Sequence, residues 1–477
     1  AREASAMAHI AASVDYSTVW KVKSEILSKA FAQFCRVGGS KEFELFKKKH
    51  QKWLKNYCKY RWLIDEAGGE EDWSLWPSQF NTREKAQTYE RKRKRREGEL
   101  VKAALDYYAW EQWHAFSQWG EVREHADKVG VRLMGDIPIG VSYASADVFF
   151  EPEWFHFDLF GGAPPETEFK ADAFTTKWGQ NWGVPVYRWD KIEQSGYRWW
   201  NQRIGALTDI FHQFRIDHIL GFYRIYSFPW HPRENPDFLP LSREQASKKT
   251  KGRLPGFYPR EDDTMVHKAK NLLDGDKFIR AVVEAAKGAE VIGEDLGTVP
   301  EYVRPHLLEL GIAGFKSCHW EKDARGKVID GAEYPECSYA CYTTHDMAPV
   351  RTQWEDCRAE AEAGVGKKSA EAKLKAISEF AGLPVMRKGK AYPPFSHKTK
   401  HALLDALMRS NSRYVGVMIN GVGDSPTQIN FPGTVGDQNW TYRVSWGFES
   451  IPHVLEKEMR TLEEMVIKYN REPELVK

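Results

Sequence analysis

After Gly130 the chain repeats one texture: a short apolar run that finishes in polar or charged residues, followed by a stretch with helical spacing. The runs are Val131-Arg132-Leu133-Met134-Gly135-Asp136, Phe214-Arg215-Ile216-Asp217-His218, Val291-Ile292-Gly293-Glu294-Asp295, Gly314-Phe315-Lys316-Ser317, Ala340-Cys341-Tyr342-Thr343-Thr344-His345-Asp346 and Tyr414-Val415-Gly416-Val417-Met418-Ile419. Helical spacing marks Trp199–Phe211, Asp276–Lys287 and Tyr302–Leu310 between them. Alternating strands and helices predict an α/β fold with a parallel sheet and right-handed crossovers. Buried strands that end in Asp, Glu, Arg or His point further, to a (β/α)8 barrel of the TIM type with its active site at the C-terminal strand ends. An open doubly wound sheet is the alternative. No glycine-rich phosphate loop follows any strand, which weakens that alternative and the phosphate or dinucleotide chemistry that goes with it. Only six such strands can be counted where a closed barrel takes eight, so the first strands are expected to be missing from this chain.

The front of the chain reads differently. Residues 1–130 form an expected helical subdomain, with apolar residues three and four apart over Glu25–Phe34 and Glu42–Tyr60. A long charged segment, Arg83–Val129, carries Leu100, Ala104, Tyr107, Tyr108 and Trp110 on one face and meets Gly130 as a stop. Residues 131–477 are expected to form the catalytic barrel portion. Within it Pro240–Asp263, rich in Pro, Gly and charge, reads as a long loop, and Glu360–Ala372 as an exposed helix. The basic run Arg91-Lys92-Arg93-Lys94-Arg95-Arg96, flanked by Glu90 and Glu97, reads as a solvated helix face, with a targeting or anion-binding patch as the rival. The chain begins Ala1-Arg2-Glu3-Ala4, without Met and without a secretory pattern, so an upstream part is expected to have been removed or left out.

Composition narrows the function classes. Apolar residues make up 42% of the 477 residues and 36 more are glycine, the balance of a globular protein. No apolar stretch approaches the roughly 20 residues of a membrane span, and the mean hydropathy is −0.60; the expectation is a soluble protein with no membrane partner. Lys and Arg number 69 against 67 Asp and Glu, for a net charge of +2, which disfavours nucleic acid. The six cysteines form no CxxC pair and stand at no zinc spacing with His, so no metal site is expected and free thiols in a reducing compartment are. Nineteen tryptophans fit either a large core or a sugar-binding cleft, where an indole packs against the C–H face of a pyranose.

Three carboxylates stand at or beside strand ends: Asp217 near Arg215 and His218, Glu294 near Asp295, and Asp346 near His345. Converging carboxylates suit glycoside chemistry, in which one attacks the anomeric carbon and another protonates the leaving oxygen. A third can grip sugar hydroxyls. Each alone could instead be a salt-bridged structural residue.

Taken in order, Gly135-Asp136-Ile137-Pro138-Ile139, Phe214-Arg215-Ile216-Asp217-His218, Gly293-Glu294-Asp295-Leu296-Gly297 and Thr344-His345-Asp346 resemble the motifs of the 4-α-glucanotransferases (amylomaltases, or disproportionating enzymes), relatives of the α-amylases. Gly179-Gln180-Asn181-Trp182-Gly183-Val184-Pro185-Val186-Tyr187 and Asn430-Phe431-Pro432-Gly433-Thr434 with Asn439-Trp440 extend the likeness, which runs from about Val14 to Val444. The resemblance implies a nucleophile at Asp217 and a general acid/base at Glu294. It implies that Asp346 and His345 hold hydroxyls of the −1 sugar, and that Arg215 keeps Asp217 ionised. Asp136 would support the site, and Asn181, Trp182, His218 and Asn430 would join the substrate-binding residues. Implied substrates are α-1,4-glucans and maltooligosaccharides, turned over by a retaining double displacement without metal or organic cofactor. A hydrolase with the same triad and a non-catalytic glucan-binding or scaffold protein are the alternatives. The expected location is cytoplasmic, or plastid in a photosynthetic eukaryote.

Two departures from the family pattern stand out. Ala144-Ser145-Ala146 lacks the carboxylate expected after the first motif, with Asp147 remaining nearby. Nothing in Ala1–Lys128 matches the family's upstream segment, so a separate chain or a missing segment is expected to complete the barrel.

Overall fold

The computed structural model describes residues 13–165, 172–364, 366–387, 390–434 and 436–472. The first four residues, on which the reading of the N-terminus rests, lie outside the described residues. The chain divides into two compact units, one of Lys23–Glu294 with Thr298–Val303, the other of 13–22, Asp295–Gly297 and 304–472.

In the first unit, helices Lys41–Glu66 and Arg83–Lys128 start where the sequence supplies caps. Ser40 accepts the Phe43 N–H and Thr82 the Lys85 N–H, each satisfying one of the donors a helix leaves open at its N-terminus. Their inner faces meet over Phe43, Leu54, Trp62, Leu63, Trp76, Phe80, Val101 and Trp110. The second helix kinks at Glu97, whose φ/ψ of −142°/47° is not helical. The basic run precedes that kink; Arg93 pairs with Glu66 and Glu97, and Lys94 with Glu90.

Three parallel strands follow: β1 (Met134–Pro138), β4 (Gln213–Asp217) and β7 (Glu290–Gly293), ordered β1-β4-β7. Beside them the sequence reading missed an antiparallel sheet, ordered β3-β2-β5-β6, of β2 (Phe155–Ala163), β3 (Gln180–Tyr187), β5 (Ile225–Phe228) and β6 (Gly256–Tyr258). Strand β2 holds two register shifts against β3 and carries Gly161-Gly162, so its polar–apolar alternation is broken. Gly162 is required there, because a Cβ would overlap the carbonyl oxygen of Gln180. The segment 240–263, expected as a loop, contains helix Arg243–Lys249 and β6. Ser242 and Gln245 form a capping box at that helix's start.

The second unit holds β8 (Ala313–Ser317), β9 (Ser338–Cys341) and β10 (Tyr414–Gly416), parallel and ordered β8-β9-β10. With β1, β4 and β7 these overlap the six runs read from the sequence, β9 sharing only Ala340 and Cys341 with its run. Helices Val350–Ala363, Lys367–Phe380 and His397–Met408 cover a core of Cys318, Tyr342, Trp354, Leu374, Ile377, Phe380, Leu403 and Leu407. The single helix expected over Glu360–Ala372 is two, because Gly364 and Gly366 take φ of +78° and +62° and end one helix before the next begins. Among the described residues no helix is long and apolar enough to cross a membrane.

Candidate active site

The apolar half of β4 fixes where its polar half points. Phe214 and Ile216 are 0% exposed, and side chains alternate along a strand, so Arg215 and Asp217 share the opposite face. A one-residue slip would bring both apolar side chains out, at roughly 1.5–3 kcal/mol each. The parallel register then recruits neighbours. Asp136 of β1 stands opposite Arg215, and Ile292 of β7 opposite Arg215 on the other side. The ladder between β4 and β7 closes at Ile216 opposite Gly293, so Asp217 ends β4 and Glu294 is the residue that follows β7.

Arg215 is the hub. Its Nη1 donates to both Asp136 carboxylate oxygens at 2.8 and 2.9 Å, and its Nη2 to Asp217 Oδ1 at 2.7 Å. The guanidinium side chain is only 8% exposed. Burial works against its charge, but Asp217, Asp136 and Glu294 together outweigh that and raise its pKa above the ordinary value. A buried guanidinium with two carboxylate partners is a fixed positive charge between them.

Glu294 is held from the turn after β4. His218 takes a left-handed φ of 50°, a conformation that costs a residue with a Cβ roughly 1–2 kcal/mol. That turn aims the His218 N–H at Glu294 Oε2, 2.8 Å away. The Glu294 N–H in turn donates to the Ile216 carbonyl at 2.9 Å. Burial, aided by Arg224, pushes the His218 imidazole down to about 4, so the ring is neutral at physiological pH. Trp182 meets the His218 ring edge-on, with centroids 5.0 Å apart, and its indole N–H donates to Gln180 Oε1. Asn181 sits elsewhere: its amide donates to the Trp230 carbonyl and Asn235 Oδ1, and its oxygen accepts the Gly183 N–H. Asp147, the acid left after Ala144, accepts the Trp199 indole N–H at 3.0 Å.

In the second unit a smaller cluster forms beyond β9. His345 Nε2 lies 3.2 Å from Asp346 Oδ2, and Asn430 Nδ2 donates to Asp346 Oδ1 at 2.5 Å. Gln428 staples the two segments together, since its Nε2 donates to the carbonyls of both Asp346 (3.0 Å) and Asn430 (2.7 Å). The Asn430 N–H also donates to the His345 carbonyl. The other acid of the GEDLG motif, Asp295, is buried against Arg304 and the Phe315 N–H. Burial raises its pKa.

The sequence model of the 4-alpha-glucanotransferase family, glycoside hydrolase family 77, matches residues 1–449. The chain belongs to this family. It is 28% identical over 356 residues to the 4-alpha-glucanotransferase of Chlamydia muridarum, a match covering 73% of this chain and 58% of that protein. It is 27% identical over 458 residues to that of Chlamydia caviae, covering 92% and 73%. The chain thus spans under two thirds of the length of the Chlamydia muridarum relative. In fold it is similar to the amylomaltase from Streptococcus agalactiae in complex with acarbose (TM-score 0.71, 21% identity, 96% of this chain and 80% of that one). It is also similar to the amylomaltase from Corynebacterium glutamicum (TM-score 0.68, 19% identity, 95% and 60%).

Among the family motif residues of this chain, Asp136, Arg215, Asp217, His218, Glu294 and Trp182 come together in one unit, and His345, Asp346 and Asn430 in the other. Gln428 was not anticipated from sequence. A polar residue two positions before Asn430 was the available signal, but only the folded turn shows both of its carbonyl partners.

Proposed function

We propose that this chain is a 4-α-glucanotransferase acting on α-1,4-glucans and maltooligosaccharides by a retaining double displacement. The observation that supports the reading is Arg215 ion-paired to both Asp136 and Asp217 across β1 and β4, with Glu294, the residue after β7, accepting the His218 N–H. Neighbouring strands run about 4.7–4.9 Å apart, a spacing compatible with the roughly 5–5.5 Å between carboxyl groups that a retaining mechanism uses.

In the proposed cycle Glu294 protonates the glycosidic oxygen while Asp217 attacks the anomeric carbon, giving a covalent glucosyl-enzyme. Glu294 then takes the proton from the hydroxyl of an incoming glucan, which displaces Asp217 and closes the transfer. Arg215 keeps negative charge favourable at Asp217, and the His218 N–H orients Glu294. Asp346, with His345 and Asn430, binds hydroxyls of the donor sugar. The six parallel strands are proposed to belong to a (β/α)8-type barrel, whose remaining two strands come from a further segment or a separate chain.

The test is incubation with maltotriose. Glucose together with longer oligomers is the expected product pattern. Small sugars alone would make the protein a hydrolase, and unchanged maltotriose a binder. Glu294→Gln should slow maltooligosaccharide turnover by at least the 10²–10⁴-fold typical of general acid–base catalysis. A glucosyl fluoride needs little protonation, so its first step should be far less affected and the sugar should accumulate on Asp217. Asp217→Asn should abolish both reactions. A trapped sugar found on any other residue overturns the assignment.

A further inference from the structure

We propose that Trp440 is a stacking surface for a pyranose ring beside His345 and Asp346, setting glucan affinity rather than the rate of bond cleavage; this rests on the glucan-acting reading above. Trp440 combines three features that packing alone does not explain. Its backbone takes φ of +59°, a left-handed conformation in which a bulky residue is an outlier. The residue is 52% exposed, whereas a tryptophan held for stability is largely buried. Its ring lies 4.9 Å from the His345 ring, inclined at 42°.

The strained conformation is held from several sides. The Trp440 N–H donates to the Ile429 carbonyl at 2.8 Å, and its own carbonyl accepts the Tyr16 hydroxyl at 2.5 Å. The next residue, Thr441, accepts the Val14 N–H at 2.9 Å. Before it, Asn439 accepts the Phe431 N–H at 2.8 Å and donates to the Thr434 carbonyl at 3.0 Å. Strained backbone persists only where its surroundings over-determine it, and it gathers at ligand-binding positions. Here the result of the strain is a broad apolar ring presented to solvent next to hydrogen-bonding side chains. The C–H face of a glucose unit fits such a ring, while His345, Asp346 and Asn430 supply polar partners for its hydroxyls.

The test uses the full chain with Glu294→Gln in the background, so that a bound glucan is not consumed. Trp440→Asn and Trp440→Gly both tolerate the left-handed backbone, and Trp440→Phe keeps an aromatic face. Maltoheptaose binding is measured by titration calorimetry, and thermal unfolding is recorded for each protein. The Asn and Gly variants should bind about ten-fold more weakly, with unfolding midpoints equal to or above that of the Glu294→Gln parent. The Phe variant should stay within about three-fold of the parent. If the parent binds and the Asn and Gly variants bind equally well, the inference fails while the functional reading stands. If binding and unfolding midpoint fall together in Asn, Gly and Phe alike, Trp440 is a packing residue and the inference is overturned. If the parent and the unsubstituted chain both bind no maltoheptaose, the functional reading itself fails and takes the inference with it.

Discussion

Acid should unsettle the second unit through His319, in the turn after β8. The residue is 1% exposed, and among the described residues neither ring nitrogen finds a hydrogen-bond partner. Burial, with smaller contributions from Lys373 and Lys322, pushes its pKa down from 6.5 to about 3. The unfolded chain therefore binds this proton first as pH falls. Stability is whole above pH 6.5, is lost as pH drops from 6.5 towards 3, and loses nothing more below that. A gap of about 3.5 pH units at 1.36 kcal/mol per unit bounds the loss at about 5 kcal/mol, of which about 2 kcal/mol falls between pH 7.5 and 5. Local opening that lets water reach the ring would reduce both figures. His319→Phe keeps a planar ring and removes the titration together with two buried nitrogens that lack partners. Urea unfolding of both proteins at pH 7.5, 6.5, 5.5 and 5.0 isolates the effect, because groups outside this surrounding titrate alike in the two. The stability advantage of the variant should widen by about 2 kcal/mol from pH 7.5 to 5. Parallel pH curves would refute the argument.

Three further outcomes follow from the geometry. Gly162→Ala should cost about 3 kcal/mol or more, because the new methyl meets the Gln180 backbone rather than a side chain that can turn away; thermal unfolding reads this, and a neutral result would mean that β2 and β3 are not so closely apposed. Asn430→Ala should lower kcat/KM for maltotriose by about 10–100-fold, the size of one hydrogen bond to a charged group, since the Asn430 amide donates to Asp346; steady-state kinetics check it, and Asn430→Asp should be worse because it sets like charges together. Asn181→Ala should lower stability by about 1–3 kcal/mol with kcat little changed, because the Asn181 side chain is spent on Trp230, Asn235 and Gly183; a large fall in kcat with unchanged stability would return Asn181 to the substrate.

The parallel strands were legible because each lies in a brief apolar run, most of them followed by polar residues, and the helices over 25–34, 42–60 and 83–129 because their apolar spacing is regular. Helices at Tyr16–Arg36, Lys41–Glu66 and Arg83–Lys128 occupy those positions. The antiparallel sheet was hidden for the opposite reason. Register shifts in β2 and only three residues in β6 leave no sustained alternation to read. In the candidate site, Asp217 and Glu294 announced themselves as strand-end acids. Asn181 and Trp182 could not be told apart by sequence, since both sit in one motif, and only the fold shows one turned to Trp230 and Asn235 and the other to His218. Trp440 was visible as part of a motif, but its left-handed backbone was not, because nothing in the one-letter code marks a tryptophan that must be held in that conformation.

The acids of the first unit are aimed by the backbone that carries them. Asp217 could not choose its own direction: it is half of a two-residue alternation whose other half is apolar. Phe214 and Ile216 are wholly buried, whereas on β7 Val291, Ile292 and Gly293 are all buried, so no alternation marks that strand. Because the side-chain period of a strand is two, Phe214 and Ile216 fix the phase of β4, and β7 takes its own from pairing with it. The parallel ladder then fixes the offset between them. Electrostatics acts on this arrangement afterwards. Arg215 can ion-pair with Asp136 and Asp217 at once only because residues i and i+2 of β4 share a face and β1 presents Asp136 at the matching level. Losing the apolar phase would therefore disperse the charges, whereas losing one charge would leave the phase intact. Phe214→Ala should accordingly cost about 3–5 kcal/mol of stability, while Asp136→Asn should leave the strand order unchanged and alter only what holds Arg215. Far-UV circular dichroism and urea unfolding distinguish the two, and equal losses of stability from both substitutions would show that the ion pairs, not the apolar face, set the register.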